Sequence, residues 1–368
     1  MRSNPRARPS RARELATGLA LLAGTLLLIF LLGEATVRWL EPRSDHQRLY
    51  QGLKDSPRLW GLMANRTVLR DGVTVHTNSF GDRGDECPVD KPAGTFRIVG
   101  LGDSYTFGSG VRFEDTYLHV LETLLNQATG SDTLRHYQAL NLGVEGYNTV
   151  QELASLREAG LRFHPDLILV GYVFNDVDAA TAPGGESPLA RAGVAGERRQ
   201  GQPGGRSPGL TQLIISFKDH SRFFAFVSPR LGALLRKAGL RRTGLVGSYV
   251  GHYADGDRGW RASRDALLEI KALAQENGAR LAVLVFPAFV SLRRADYPLL
   301  QYHQAVTDFC RASGIPVCDL YPAFEGQKAS RFWMSLTDPH PNGAANHIAA
   351  RAVYRFLTGE RLVLVAGR

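Results

Sequence analysis

The stretch Phe96-Arg97-Ile98-Val99-Gly100-Leu101, running at once into Gly102-Asp103-Ser104-Tyr105-Thr106-Phe107-Gly108, decides how the rest of the chain is read. Its first half is a short, mostly apolar run, suited to a strand buried on both faces. Its second half is a tight polar turn leading into residues that can open a helix. Next, Thr116–Gln127 (TYLHVLETLLNQ) carries apolar residues at helical spacing. The alternation then repeats. Further strands are expected at Tyr137–Leu142, Leu167–Phe174, Arg280–Phe286 and Ile315–Leu320, and further helices at Thr149–Ala159, Trp260–Glu276, Leu299–Ala312 and Asn342–Leu357. Five apolar strands alternating with helices predict an α/β protein whose parallel sheet is covered on both faces.

In such sheets ligands bind beyond the carboxyl ends of the strands, and the polar motifs fall there. The second strand runs into Gly143-Val144-Glu145-Gly146-Tyr147-Asn148-Thr149, the third ends in Asn175-Asp176, and Thr337-Asp338-Pro339-His340-Pro341-Asn342 follows the last. Together they supply what acyl transfer requires. A serine hydroxyl is a weak nucleophile until a base takes its proton; Ser104 is the candidate nucleophile and His340 the candidate base. Asp338 could orient the imidazole and stabilise its charged form. The backbone N–H groups of Ser104 and Gly146 and the side-chain amide of Asn175 could face a developing oxyanion. Blander readings stand beside these. Gly-Asp-Ser is a common turn, Asp103 suits a helix cap, and Asp176 suits a buttress for the loop after Asn175. His340 and His347 lie seven residues apart without a third ligand in a recognisable pattern, so no metal is expected. His119, His164 and His303 read as ordinary surface or core residues.

These residues resemble the four blocks of the SGNH (GDSL-like) hydrolases, in order: Gly102-Asp103-Ser104; Asn141-Leu142-Gly143-Val144-Glu145-Gly146; Asn175-Asp176; and Asp338-Pro339-His340-Pro341-Asn342. The resemblance spans residues 95–357. It implies a flavodoxin-like three-layer α/β/α sandwich with a five-stranded parallel sheet, and ester or acyl-transfer chemistry with no metal and no cofactor. The stretch Asn78-Ser79-Phe80-Gly81-Asp82-Arg83-Gly84 resembles membrane-anchored bacterial members. Three positions depart from the family's pattern. Tyr105 replaces the leucine after the serine, and Val173 stands where a glycine usually precedes the asparagine. Asp338 lies two residues before the histidine, where three is commonest, so a backbone carbonyl is an alternative partner for the His340 ring.

Around this domain the composition shifts. The chain has 368 residues, 44% of them hydrophobic, and a net charge of +9. Residues 1–14 hold five arginines against Glu14, which is +4 of that charge, and no nucleic-acid-binding motif accompanies the rest. Nucleic acid is therefore not an expected partner. Leu15–Gly33 follows as nineteen uncharged residues, long enough to cross a bilayer. The arginines on its N-terminal side keep 1–14 cytoplasmic and export the remainder. A cleaved signal peptide is the competing reading, but no small-x-small site ends the run.

Residues 34–94 read as stalk and lead-in, and 95–358 as the hydrolase domain with an insertion at 178–259. Within the insertion, 181–209 holds eight glycines, four prolines and four arginines and reads as flexible. Residues 210–250 combine large apolar groups with seven basic residues and one acid, and read as a helical insertion over the sheet's edge. Of three cysteines, Cys310 and Cys318 could bridge or simply be buried thiols, as could Cys87.

The expected function is an esterase removing an O-acyl group, acetyl foremost, from an envelope or extracellular carbohydrate or another small ester, through an acyl-enzyme on Ser104. The expected location is the bacterial cytoplasmic membrane, with the catalytic domain on the periplasmic or extracellular side. An O-acyltransferase working beside an acyl-donor membrane protein would use the same residues. A non-catalytic anchored glycan-binding scaffold is the third reading, and Ser104 and His340 argue against it.

Overall fold

The computed structural model describes residues 11–40, 49–70, 72–129, 136–178, 251–335 and 338–363, together with Ser221, Phe223, Phe224, Val227 and Tyr249. The basic residues 1–10, most of the insertion and the 181–209 stretch lie outside the described residues. The chain divides into two units, 1–44 with 200–242, and 45–199 with 243–368.

In the first unit, helix α1 spans Arg11–Leu40, and Thr17–Trp39 within it is long and apolar enough, by length and composition, to cross a membrane. Near its end the Glu34 carboxylate accepts bonds from Ser221 Oγ at 2.8 Å and from the Phe223 amide at 2.9 Å. The Phe223 ring meets Phe30 edge-on at 5.9 Å. The described part of the insertion's second half therefore contacts α1.

The second unit is built on five parallel strands in the order β6-β5-β7-β8-β9: β5 (Thr95–Gly102), β6 (His136–Asn141), β7 (Leu167–Tyr172), β8 (Arg280–Val285) and β9 (Val317–Asp319). Every residue of β7 and all but the first of β8 are buried, because helices cover both faces. Arg97, the charged residue of the β5 run, is fully buried; its guanidinium donates to the carbonyls of Val89, Phe163 and Pro88 at 2.7–3.0 Å. Helix α3 (Tyr117–Thr129) packs with the closing helix α7 (Gly343–Gly359). Helix α4 (Thr149–Ser155) packs with α5 (Arg258–Glu276), whose Trp260 meets Phe309 of α6 (Leu300–Ala312). The chain leaves β5 toward β6 and then crosses back to β7. The crevice between the ends of β5 and β7 is thus the switch point where such sheets bind ligands.

Three sequence expectations are corrected. The helix expected over Thr149–Ala159 keeps α-helical bonding only to Ser155, then widens into a π turn at Leu156–Gly160 and tightens into a 3₁₀ turn at Leu161–Phe163. The last strand is half its expected length, since it pairs only along Val283–Val285 of β8 at the sheet's edge. The residues between helix and sheet are more than a tether. They form two antiparallel hairpins, β1 (Tyr50–Gly52) with β2 (Trp60–Leu62), and β3 (Thr67–Arg70) with β4 (Val73–His76).

The hairpins bury Leu49, Trp60, Leu62, Val68 and Val75 against Phe107, Val144 and Tyr147. Burying a side chain of this size contributes about 1.5–3 kcal/mol, so this small second core joins hairpins and strand-end loops firmly. All three cysteines are free, and Cys87 and Cys310 are buried.

Candidate active site

After β5 the backbone turns at Gly102, whose φ of +155° is strained for any side chain; a Cβ there would lie 2.1 Å from Thr106 Oγ1. Asp103 then caps the four-residue helix α2 (Ser104–Phe107), its Oδ1 accepting the Tyr105 N–H at 2.9 Å. Ser104 is the first residue of that helix, so its N–H is one that no intrahelical carbonyl can take. The carbonyl end of α2 is held by Arg83, which donates to the carbonyls of Phe107, Gly108 and Val111 and lies 4.7 Å above the Phe107 ring. Arg83 comes from the Asn78–Gly84 stretch singled out in the sequence.

His340 reaches Ser104 from the segment before α7. Asn342 caps α7 by accepting the Ala345 N–H at 3.1 Å, its backbone N–H donates to the Phe332 carbonyl at 2.8 Å, and the Met334 N–H donates to the His340 carbonyl at 3.1 Å. The ring so fixed sets Nε2 3.0 Å from Ser104 Oγ and Nδ1 2.6 Å from Asp338 Oδ1. Asp338 Oδ1 also accepts the His340 backbone N–H at 3.0 Å. The two-residue spacing thus places the aspartate carboxylate, rather than a backbone carbonyl, on the imidazole. Tyr105, in the family's leucine position, is buried, stacked on Phe289 and edge-on to His340 at 5.9 Å.

The proposed oxyanion donors flank this turn. Asn175 follows β7, and its Nδ2 donates to Asp103 Oδ2 at 3.3 Å. An amide nitrogen carries two protons, so one is held by Asp103 and the other is available to a ligand. Gly146 follows β6 with φ +78°. A Cβ on Gly143 of the same loop would lie 2.4 Å from the Phe107 amide, so glycine there allows the loop to approach α2. Asp176 is buried and accepts the Val173 N–H at 2.8 Å, bracing the turn that carries Asn175. The insertion's two ends close beside that turn: Tyr249 donates to Asp178 and Tyr253 to the Phe174 carbonyl. His347 pairs with Asp115 at 2.9 Å instead of joining His340.

The electrostatics favour the charged form of the base. Burial pulls the His340 pKa down, but the hydrogen bond and charge of Asp338 outweigh it, with Asp103 and Glu145 adding further, and hold it above the ordinary value. Burial would raise Asp338; the His340 contacts overcome this and hold it low. Beneath the turn, burial drives the pKa values of Asp103, Glu152 and Asp176 upward.

Residues 101–348, more than half of the chain, match the GDSL-like Lipase/Acylhydrolase family. The chain belongs to that family. It is accordingly an enzyme that acts on ester bonds, and its five-stranded parallel sheet is the family's α/β fold. Similar solved structures include TesA (14% identity, 73% of this chain and 99% of that one covered, TM-score 0.41). A catalytic variant of Axe2, an acetylxylan esterase from Geobacillus stearothermophilus, is 13% identical over 71% of this chain and 94% of its own, with TM-score 0.42. A two-domain esterase active on acetylated mannans is 13% identical, with 73% of this chain and 50% of that one covered and TM-score 0.39. No curated protein matches the chain in sequence.

Beyond the family's blocks, four residues missed in the sequence meet at this site: Arg83 on α2, and Tyr50, Arg70 and Ser109, which gather around Glu145 of the second block beside Gly146. Only Arg83 lay in a stretch that the sequence drew attention to.

Proposed function

We propose that the chain is a membrane-anchored serine esterase that removes a short O-acyl group, acetyl foremost, from a carbohydrate on the exported side of the membrane. The continuous contact Ser104 Oγ–His340–Asp338, at 3.0 and 2.6 Å, carries the reading. His340 Nε2 takes the hydroxyl proton as Oγ attacks the acyl carbonyl, and Asp338 stabilises the resulting imidazolium. The oxyanion is met by the N–H groups of Ser104 and Gly146 and by the remaining amide proton of Asn175. On collapse the sugar alkoxide leaves with the proton from Nε2. Water then attacks the acyl-Ser104, its proton passing to His340; as the acyl–Oγ bond breaks, Ser104 takes that proton back from Nε2 and the carboxylic acid is released. The family membership supports the ester chemistry. Helix α1 supports anchoring, and the exposed Ser335 and Pro339 beside half-buried Asp338 suit a hydrated acyl-sugar better than a long acyl chain.

The test uses the full-length chain. A fluorophosphonate should add its mass to the peptide containing Ser104, and acetate release from an acetylated oligosaccharide should vanish in Ser104→Ala. Labelling elsewhere, or turnover surviving in Ser104→Ala, would end this reading.

A further inference from the structure

The loop that carries Gly146 is held by side chains that hydrogen-bond neither the Ser104 hydroxyl nor the His340 ring. Glu145, the residue before it, spreads its carboxylate over three partners. Ser109 donates to Oε1, the Tyr50 hydroxyl donates to Oε2, and Arg70 Nη2 pairs with Oε2. Arg70 Nη1 also donates to the Tyr50 oxygen at 2.7 Å, which closes the ring of contacts. Tyr50 comes from the first hairpin, Arg70 from the second, and Ser109 from the chain leaving the nucleophile helix. The Arg70 guanidinium lies 5.6 Å from the Tyr50 ring centre and 5.9 Å from that of Phe107, the last residue of α2. Arg70 is 6% exposed. Burial opposes ionisation of Glu145, but Arg70, Ser109 and Tyr50 outweigh it and keep the carboxylate charged. A buried pair of this kind is held strongly in one geometry, because separating the partners leaves each charge uncompensated.

What this geometry fixes is a peptide plane. The Gly146 N–H lies in the rigid plane that begins at the Glu145 Cα. Gly146, at φ +78°, has no side chain to constrain that plane from the other side. We propose that Arg70 and Tyr50 are positioning residues for the oxyanion hole. By clamping Glu145 they aim the Gly146 N–H, while Ser109 ties the same carboxylate to the helix that carries Ser104. The inference rests on the roles given above to Ser104 and Gly146, and makes the two hairpins a working part of the catalytic centre.

A small misplacement of a reacting group costs about 10²-fold in rate, and loss of one oxyanion donor about 10²–10³-fold. Arg70→Met in the full-length chain should therefore lower kcat for a short aryl ester about 10²-fold, with KM within about threefold. Tyr50→Phe, which keeps the ion pair, should lower kcat about tenfold, and Arg70→Lys should recover part of the Arg70→Met loss, since lysine restores charge but not the fork. Rates are taken per site labelled to completion by a fluorophosphonate, which removes any unfolded fraction. A trifluoromethyl ketone that mimics the tetrahedral state should lose affinity in step with kcat/KM, while affinity for an unreactive ether analogue of the substrate stays constant. Wild-type kcat per labelled site in both Arg70→Met and Tyr50→Phe, or equal losses for ketone and ether, would overturn the inference. Ser104→Ala is measured alongside: if it retains turnover, the nucleophile assignment falls instead. Should Arg70→Met not fold, Tyr50→Phe alone decides.

Discussion

His340 and His303 each turn Nδ1 toward an aspartate, at 2.6 Å from Asp338 and 2.7 Å from Asp319. They part company at the other nitrogen. His340 Nε2 faces the Ser104 hydroxyl at 3.0 Å, and its side chain is 37% exposed. His303 Nε2 faces the Tyr297 hydroxyl at 2.9 Å, and its side chain is 3% exposed. The Tyr297 oxygen also accepts the Ala288 N–H at 3.0 Å. The inner pair is thus a closed chain of donors and acceptors joining α6, β9 and the segment between β8 and α6. The outer pair ends instead on the Ser104 hydroxyl, and both His340 and Ser104 are only half-buried. A histidine–aspartate pair is not in itself a catalytic device. What it does depends on what the second nitrogen faces and on whether a substrate can reach it.

Exchanging the two histidines for alanine should break this comparison most sharply. His340→Ala is expected to lower kcat/KM about 10⁴-fold or more while the melting temperature stays close to the parent's. His303→Ala is expected to do the reverse: a loss of about 2–4 kcal/mol in a denaturant titration, because removing the buried imidazole leaves a cavity and takes one hydrogen bond each from Asp319 and Tyr297, with kcat per labelled site unchanged. A similar fall in activity for both variants would show that the contrast is not functional. Asp338→Asn, measured in the same assay, should fall about 10²–10³-fold, since the ring keeps its place but loses the charge that stabilises its protonated form.

The pH dependence sharpens the contrast further. Only neutral His340 can act as base, and its pKa is held above the ordinary ~6.5. Activity should therefore fall about tenfold per unit as pH drops below that raised value. Asp338→Asn should move this acid limb to lower pH, because the carboxylate that favours the charged ring is gone. A limb that stays in place in Asp338→Asn would show that another group sets it. The smallest effect is expected for Tyr297→Phe, which removes one hydroxyl from the inner chain and should cost about 1 kcal/mol of stability with no change in the pH profile.

Much of the sheet was legible because its strands are continuous apolar runs: β5, β6, β7 and β8 lie within two residues of their expected limits at each end. The blocks at their ends were legible for the same reason, since a polar motif after a buried strand has one place to go. The hairpins were not. Strands of three and four residues leave too little alternation to read, although Asp71-Gly72 between Thr67–Arg70 and Val73–His76 is a strong hairpin signal that could have been used. The partnership of Tyr50 and Arg70 with Glu145 was invisible for a different reason. It joins residues 95 and 75 positions apart, and no local pattern marks a charge whose partner is that distant. The Ser104–His340 bond spans 236 positions, yet each end sits in a motif of its own, which is why that pairing could be anticipated.

The second core, in which Trp60, Leu62 and Val75 share a packed interior with Phe107, Val144 and Tyr147, bears on the order of assembly. The hairpin residues are synthesised first but have nothing to pack on until the chain beyond β6 exists, and the contact between Tyr147 and the Trp60 carbonyl closes an 87-residue separation. Contacts at such range are among the slower ones to form, because the intervening chain must first lose its freedom. The serine loop is therefore expected to mature late, after the sheet has formed, with esterase activity appearing in refolding experiments after most of the secondary structure. A fragment that begins at Thr95 would still contain every residue of the family's four blocks. It would also present Phe107, Val144 and Tyr147 to water, and sparing solubility would be its first visible property.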